Sequence, residues 1–427
     1  MLFLSLPSTG TGKGTSMLTD HFRDPRTLDR IQSTAAAPYL DVFADALTKA
    51  GYKRTTIQRY LGAAAHLSFW QQSRARLLTE LDGSNVGEFK QHLLACKCVG
   101  FRRVNELDAR GARLFLLHLQ KLGVIARATV TPMPSLFVGF CDWMRQYRGT
   151  QDTTLNTYRR TILDALKTLG SEPQRFDAAG LRAFVLDRAS RHGRCQAKVV
   201  ITALRALVRY LIATGQCEVG LDASIPTIAG WRLSAMPRYI SAADVERVVA
   251  ACDPTTAVGA RDRAILLLLS RLGLRAGDIY ALRLHDIDWQ QATIQVSGKT
   301  RRLVNLPLPQ EVGDAILHYL ATARPAVKFD YLFLRFATPV GPFAKDSTAV
   351  SAIVKSAIHR AGVCAPAHGA HLLRHSAATS LLADGASLES IAVLLRHCSL
   401  DTTTHYAKVN FKLLVELARP WPEVSPC

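Results

Sequence analysis

The chain has 427 residues, too many for one ordinary hydrophobic core, so two or three domains are expected. Apolar residues make up 48%, which excludes wholesale disorder, and the longest strongly apolar stretch, Ala264 to Leu274, is about half a membrane span. Fifty-three Lys and Arg against 34 Asp and Glu leave a formal charge of +19, spread along the chain rather than bunched beside an apolar anchor; that surplus points to a polyanion, nucleic acid before a membrane surface.

Residues 1–35 carry Ser, Thr and Gly without periodicity and are expected to form a flexible tail. The opening MLFLSLP has neither a positive n-region nor a long apolar h-region, so no secretion signal is read and a cytoplasmic location is expected. TGTGKGTS, Thr9 to Ser16, imitates a phosphate-binding loop, but Gly14 follows Lys13 where Ser or Thr is needed, and Pro7 stands where the first glycine belongs.

Helical signals then fill two blocks, 36–125 and 126–225, which look weakly related. TTIQRY (Thr55 to Tyr60) lines up with TTLNTY (Thr153 to Tyr158), and each block closes on a leucine-rich helix running into Gly, LFLLHLQKLG and ALVRYLIATG. In the second closing helix Val199, Val200, Ala203, Leu204, Leu207 and Leu211 recur at helical spacing. Lys198, Arg205 and Arg209 lie off that face as a candidate DNA-contacting stripe. The nine cysteines are odd in number and scattered. Cys96 and Cys98 form a CxC with no partner pair elsewhere, so structural zinc is not expected and the thiols read as reduced.

A Pro- and Gly-bearing linker at 226–236 leads into a third domain, 237–418, with a short tail at 419–427. Ser241 is placed to cap its first helix. ATIQV and LVNLPL flank the turn SGKTRR and form a hairpin with Lys299 at its tip, and a third short strand is expected at Tyr331 to Leu334. The remainder reads as helix.

Six polar residues of this domain stand out: Arg275, ending its most hydrophobic helix; Lys299; His371 and Arg374, one helical turn apart; His397, ending another helix; and Tyr406, opening the next, with Asp401 as the expected N-cap. Two guanidinium groups, a lysine, two histidines and a tyrosine make an anion site with a nucleophile. They match the oxygens of a phosphodiester and the extra charge of its transition state. Metal-dependent strand cleavage would need clustered carboxylates, whereas Asp278, Asp286 and Asp288 read as an arginine buttress and turn residues. A rival metal site from His368, His371 and His375 lacks the H-E-x-x-H pattern and would take in the charge of Arg374. Neither a metal nor a cofactor is expected.

GLRAGDIYALRLHDID, VSGKTRRLVNLPL, HLLRHSAATSLLADGASLESIAVLLRH and SLDTTTHYAKV resemble, in order and separation, the signature segments of the tyrosine recombinases, the phage-integrase family. The resemblance is strong over 236–418 and weaker over the second helical block. It implies a mainly α fold with a small antiparallel β-sheet in a C-terminal catalytic domain, preceded by SAM-like helical core-binding domains. It further implies a site-specific recombinase or integrase that cleaves and rejoins double-stranded DNA without metal or ATP, as a homotetramer synapsing two sites, alone or with partner recombinases. Tyr406 would attack the phosphate to give a 3′-phosphotyrosyl link. Arg275 and Arg374 would hold its oxygens, Lys299 would protonate the leaving 5′-oxygen, His371 would act as base toward the tyrosine, and His397 would bond the phosphate. Alternatives are a type IB topoisomerase-like enzyme and a DNA-binding protein that does not cleave.

The chain departs from the family pattern at three places. Arg396 stands where relatives usually keep Gly and is expected to be helical, with an extra phosphate contact; Asp278 replaces the usual Glu, and Thr300 follows the lysine in place of Gly.

Overall fold

The computed structural model of the chain describes residues 17–82, 85–101, 106–126, 132–229, 236–297, 303–344, 348–397, 399–408 and 415. Lys299, the loop look-alike at Thr9 to Ser16, most of the linker and the tail at 419–427 lie outside them. Residues of 129–234 form one compact unit, and those of 1–128 and 235–427 form the other.

The first helical block comprises α1 (Met17–His21), α2 (Pro25–Gln32), α3 (Ala37–Lys49), α4 (Arg54–Gln72), α5 (Asn85–Leu94) and α6 (Glu106–Lys121). The tail expected to run to residue 35 is therefore folded from α1 onward. Asp24 caps α2, accepting the Thr27 hydroxyl at 2.7 Å, and Pro25 supplies the helix-compatible φ of the first turn. Leu18 and Ile31 enter one core with Leu40, Phe43, Leu61, Phe89 and Phe115. Aperiodic spacing hid these helices because each contributes only one or two buried residues.

The second unit holds α7 (Ser135–Arg148), α8 (Asp152–Leu169), α9 (Ala178–Arg191) and α10 (Arg194–Ala213). Val200, Ala203, Leu204, Leu207 and Leu211 are buried, as their spacing indicates, while Val199 is only partly covered. Both leucine-rich closing helices, α6 and α10, are followed by a glycine in the left-handed region, Gly123 and Gly215, which stops them without a Cβ clash.

The C-terminal segment opens with α11 (Ala242–Ala250), capped as expected by Ser241, whose hydroxyl accepts the Asp244 N–H at 3.1 Å. The apolar run lies in α12 (Ala257–Arg271), the centre of this core: Ala264 to Leu269 are fully buried. After α13 (Ala276–Ala281) come β1 (Ile287–Asp288), β2 (Thr293–Ser297) and β3 (Leu303–Pro307), an antiparallel sheet in that order with Ile294 opposite Leu306. α14 (Gln310–His318) follows, then β4 (Leu334–Arg335) paired with β5 (Gly341–Pro342). The strand expected at Tyr331 to Leu334 thus begins only at Leu334, where a partner is available; Tyr331 makes an isolated bridge to Arg283. Last are α15 (Thr348–Arg360), α16 (Ala370–Ala383), α17 (Leu388–Leu394) and α18 (Thr404–Ala407).

Candidate active site

Three chain turns bring the site together: the end of α12 into α13, the first half of α16, and the α17–α18 connection. Arg275 is the N-cap residue of α13, and its guanidinium donates to the carbonyls of Leu395, at 3.4 Å, and Arg396, at 3.2 Å. Arg374 lies on α16, buried, and donates to the carbonyls of Gly273 and Leu395. Both guanidinium groups are thus fastened to one acceptor, the Leu395 carbonyl, an orphan acceptor at the end of α17. Gly273, at φ 57°, allows this approach, because a Cβ there would lie 2.6 Å from Leu395 Cδ2. Burial, and next the charge of Arg275, lower the Arg374 guanidinium to about 10, still fully charged at neutral pH.

Arg396 contradicts its expected helical conformation. Its φ is 52°, in the left-handed region, which costs a non-glycine residue on the order of 1 kcal/mol. Its side chain, 5% exposed, turns inward to Asp278 (6% exposed) at 2.5 Å instead of reaching outward for a phosphate. The Asp278 buttress therefore serves Arg396, and it also accepts the Arg275 backbone N–H at 2.8 Å. The shorter Asp side chain completes a cap on α13 while holding the odd arginine.

His397 follows that turn. Its Nδ1 lies 2.8 Å from the hydroxyl of the fully buried Thr403, which leaves Nε2 as its other hydrogen-bonding atom. The helix bearing Tyr406 starts at Thr404 with Thr403, not Asp401, as its cap residue. Tyr406 is 2% exposed, in a small cluster with Ala378, Leu382, Ile391 and Leu395. Its hydroxyl lies 2.8 Å from Nδ1 of His375, a residue read from sequence as structural, whereas His371 was expected to serve the tyrosine. The signal was present in the spacing: His375 lies four residues beyond His371 on α16 and so shares its face. His368, His371 and His375 form no metal-ligand cluster among the described residues.

The charges order the titrations. Burial, then Arg374 and Arg275, hold His371 below the ordinary histidine value. Burial, and then the same two arginines, bring His397 to about 4; burial, then His371, bring His375 to about 4. Burial raises the Tyr406 hydroxyl, opposed by Arg374. In this arrangement the tyrosine is protonated and the histidines are neutral.

A pH dependence follows. Because the folded values of His375 and His397 lie below the ordinary 6.5, the unfolded chain binds protons first on acidification. The stability contributed by neutral rings is complete above 6.5 and lost as pH falls through that value toward 4. The melting temperature is expected to hold steady above that window and decline within it, and His397→Gln makes the decline shallower.

The basic stripe expected on α10 of the second unit divides. Lys198 is exposed, but Arg205 donates to the Ile225 carbonyl at 2.8 Å and Arg209 pairs with Asp222 at 2.8 Å, so both brace the segment after α10.

Residues 238–412 match a family model described as the phage integrase family. The chain is 33% identical over 404 residues to the putative integrase/recombinase y4rA of Sinorhizobium fredii (strain NBRC 101917 / NGR234), covering 92% of this chain and 97% of that protein. It is 29% identical over 303 residues to the tyrosine recombinase XerD of Listeria innocua serovar 6a, covering 66% of this chain and 97% of that one. In fold it is similar to a lambda integrase crystallised as a tetramer bound to a Holliday junction, with TM-score 0.52 at 16% identity, over 76% of this chain and 91% of that chain. The chain belongs to the tyrosine recombinase, or phage integrase, family. It is a DNA strand-transferring enzyme of site-specific recombination.

Proposed function

We propose that the chain cuts and rejoins duplex DNA through a 3′-phosphotyrosyl intermediate at the site built by Arg275, Lys299, His371, Arg374, His397 and Tyr406. The observation that carries this reading is the anchoring of two guanidinium groups on the Leu395 carbonyl, two residues before His397 and beside the cluster that holds Tyr406. Arg275 and Arg374 hold the non-bridging oxygens of the scissile phosphate, and His397 donates a further hydrogen bond. The Tyr406 oxygen bonds to phosphorus as the bond from phosphorus to the 5′-oxygen breaks. His371, kept neutral by burial and then by the arginines, takes the tyrosine proton, and Lys299 gives one to the departing oxygen. The phosphodiester energy stays in the phosphotyrosyl bond, so a 5′-hydroxyl from a second duplex can reverse the step without ATP or a catalytic metal. His375 holds the resting hydroxyl until Tyr406 leaves its cluster.

Exchange between two duplexes requires two sites and four active centres, so the working species is proposed to be a homotetramer on DNA, alone or with partner recombinases. The test is a plasmid carrying two copies of the cognate site. Recombinant circles formed without added magnesium support the proposal; relaxation of supercoils without exchange selects a type IB topoisomerase activity instead.

Among the basic residues of α10, Lys198 is proposed to contact phosphate. Lys198→Ala is expected to reduce the salt slope of DNA binding by about one, measured by anisotropy titration at several salt concentrations. Arg205→Ala is expected to lower the melting temperature instead, because it frees the Ile225 carbonyl.

A further inference from the structure

The first helical block holds a cluster that the strand-transfer reaction does not use. Cys96 and Cys98, which the sequence shows as a CxC without a matching pair, meet two histidines brought in by helix packing. His66 comes from the middle of α4 and His92 from the last turn of α5. The two His Nε2 atoms are 3.4 Å apart, Cys96 Sγ is 3.4 Å from His66 Nε2, and Cys98 Sγ is 3.5 Å from His92 Nε2. All four ligand atoms lie within 4.8 Å of one another.

We propose that His66, His92, Cys96 and Cys98 bind a structural zinc ion. Tetrahedral zinc with two nitrogen and two sulfur ligands sets its donor atoms about 3.3 to 3.8 Å apart, given the usual Zn–N and Zn–S lengths. The three distances above fall on edges of such a tetrahedron. Two thiolates and two imidazoles favour zinc over hard cations, and four protein ligands leave no open position for catalysis.

The surroundings hold the donors in place. His66 is 2% exposed, and its ring stacks on Phe101 with centroids 4.5 Å apart. His92 stacks on Trp70 at 5.3 Å. Arg30 lies over Phe101 and Arg74 over Trp70, positive charges beside a site that would carry two thiolates. Burial and then the charge of His92 bring His66 to about 4, so it offers a neutral ring; burial and the Cys96 thiol push Cys98 up to about 11. Zinc binding resolves that opposition by displacing a proton from each thiol. The ion would tie the loop after α5 to the centre of α4.

The full-length protein, purified reduced and without chelators, is expected to carry about one zinc per chain by plasma mass spectrometry. Cys96→Ser with Cys98→Ser is expected to lower zinc to background, whereas Cys195→Ser with Cys364→Ser, at two exposed cysteines, is expected to keep it. Should the first double variant aggregate, exchange of wild-type metal for cobalt decides: a thiolate-to-cobalt charge-transfer band with tetrahedral d–d bands supports the site. Wild-type protein with background zinc and no such band overturns it, as does full zinc in the Cys96/Cys98 variant or a Cys96–Cys98 disulfide under reducing purification. Tyr406→Phe keeps its zinc whatever becomes of strand transfer, so the two readings fail separately.

Discussion

Tyr406→Phe is expected to abolish covalent attachment to a nicked duplex carrying the cognate site, while the protein still binds that duplex. The ring packs against Ala378, Leu382, Ile391 and Leu395 without help from the hydroxyl, so the variant loses one hydrogen bond, to His375, worth about 1 kcal/mol. The chemical loss is expected to be total because the substitution removes the oxygen proposed to attack phosphorus. His405, adjacent in sequence, has its ring centroid 6.3 Å from that of Tyr406 and does not share its hydrogen bond. The measurement is the shifted protein band on a denaturing gel after trapping on the nicked substrate. A band of wild-type intensity from the Phe variant would remove Tyr406 from the mechanism.

Asp278→Ala carries the second large effect, and it falls on stability as well as activity. The Arg396–Asp278 pair is buried on both sides. Removing the carboxylate leaves a buried guanidinium without its counter-ion beside two further arginines, at a cost of about 3 to 5 kcal/mol. Its Nε and Nη1 already have no hydrogen-bond partner among the described residues, so nothing nearby takes up the loss. The Arg275 N–H loses its cap in the same substitution. Urea denaturation is expected to show the drop, and strand cleavage is expected to fall with it, because the 395–397 turn that anchors Arg275 and Arg374 is released. Arg396→Gly relieves the backbone but strands the carboxylate, so it too is expected to destabilise; a variant as stable as the parent would contradict the pairing.

The catalytic segment was legible because its residues repeat a pattern of spacing that one helix or one turn dictates: Arg374 follows His371 by a helical turn, and the apolar run before Arg275 could only be a core helix. The hairpin was readable from its β-branched runs, although its lysine tip lies outside the described residues. What escaped was partnership across long sequence distance. The spacing of His371 and His375 puts both on one face of α16, but it does not say which of them meets the tyrosine, since that contact depends on how α18 returns to α16. The inward turn of Arg396 depends on a left-handed residue, which side-chain chemistry alone disfavours. The CxC looked isolated for the same reason: its companions lie on separate helices, and histidine within an apolar helix reads as core. The opening helices escaped differently, being too short to show a period.

The Arg396–Asp278 pair also bears on how this lineage can vary. A glycine at 396 suits the backbone but needs position 278 to lose its buried charge or find it another partner. In this chain the carboxylate at 278 is neutralised by a cation that reaches it from the turn. Removing either partner alone passes through a less stable protein, so exchanging Arg396 for the family's usual glycine is expected to come with a change at 278, such as the longer glutamate of the family pattern.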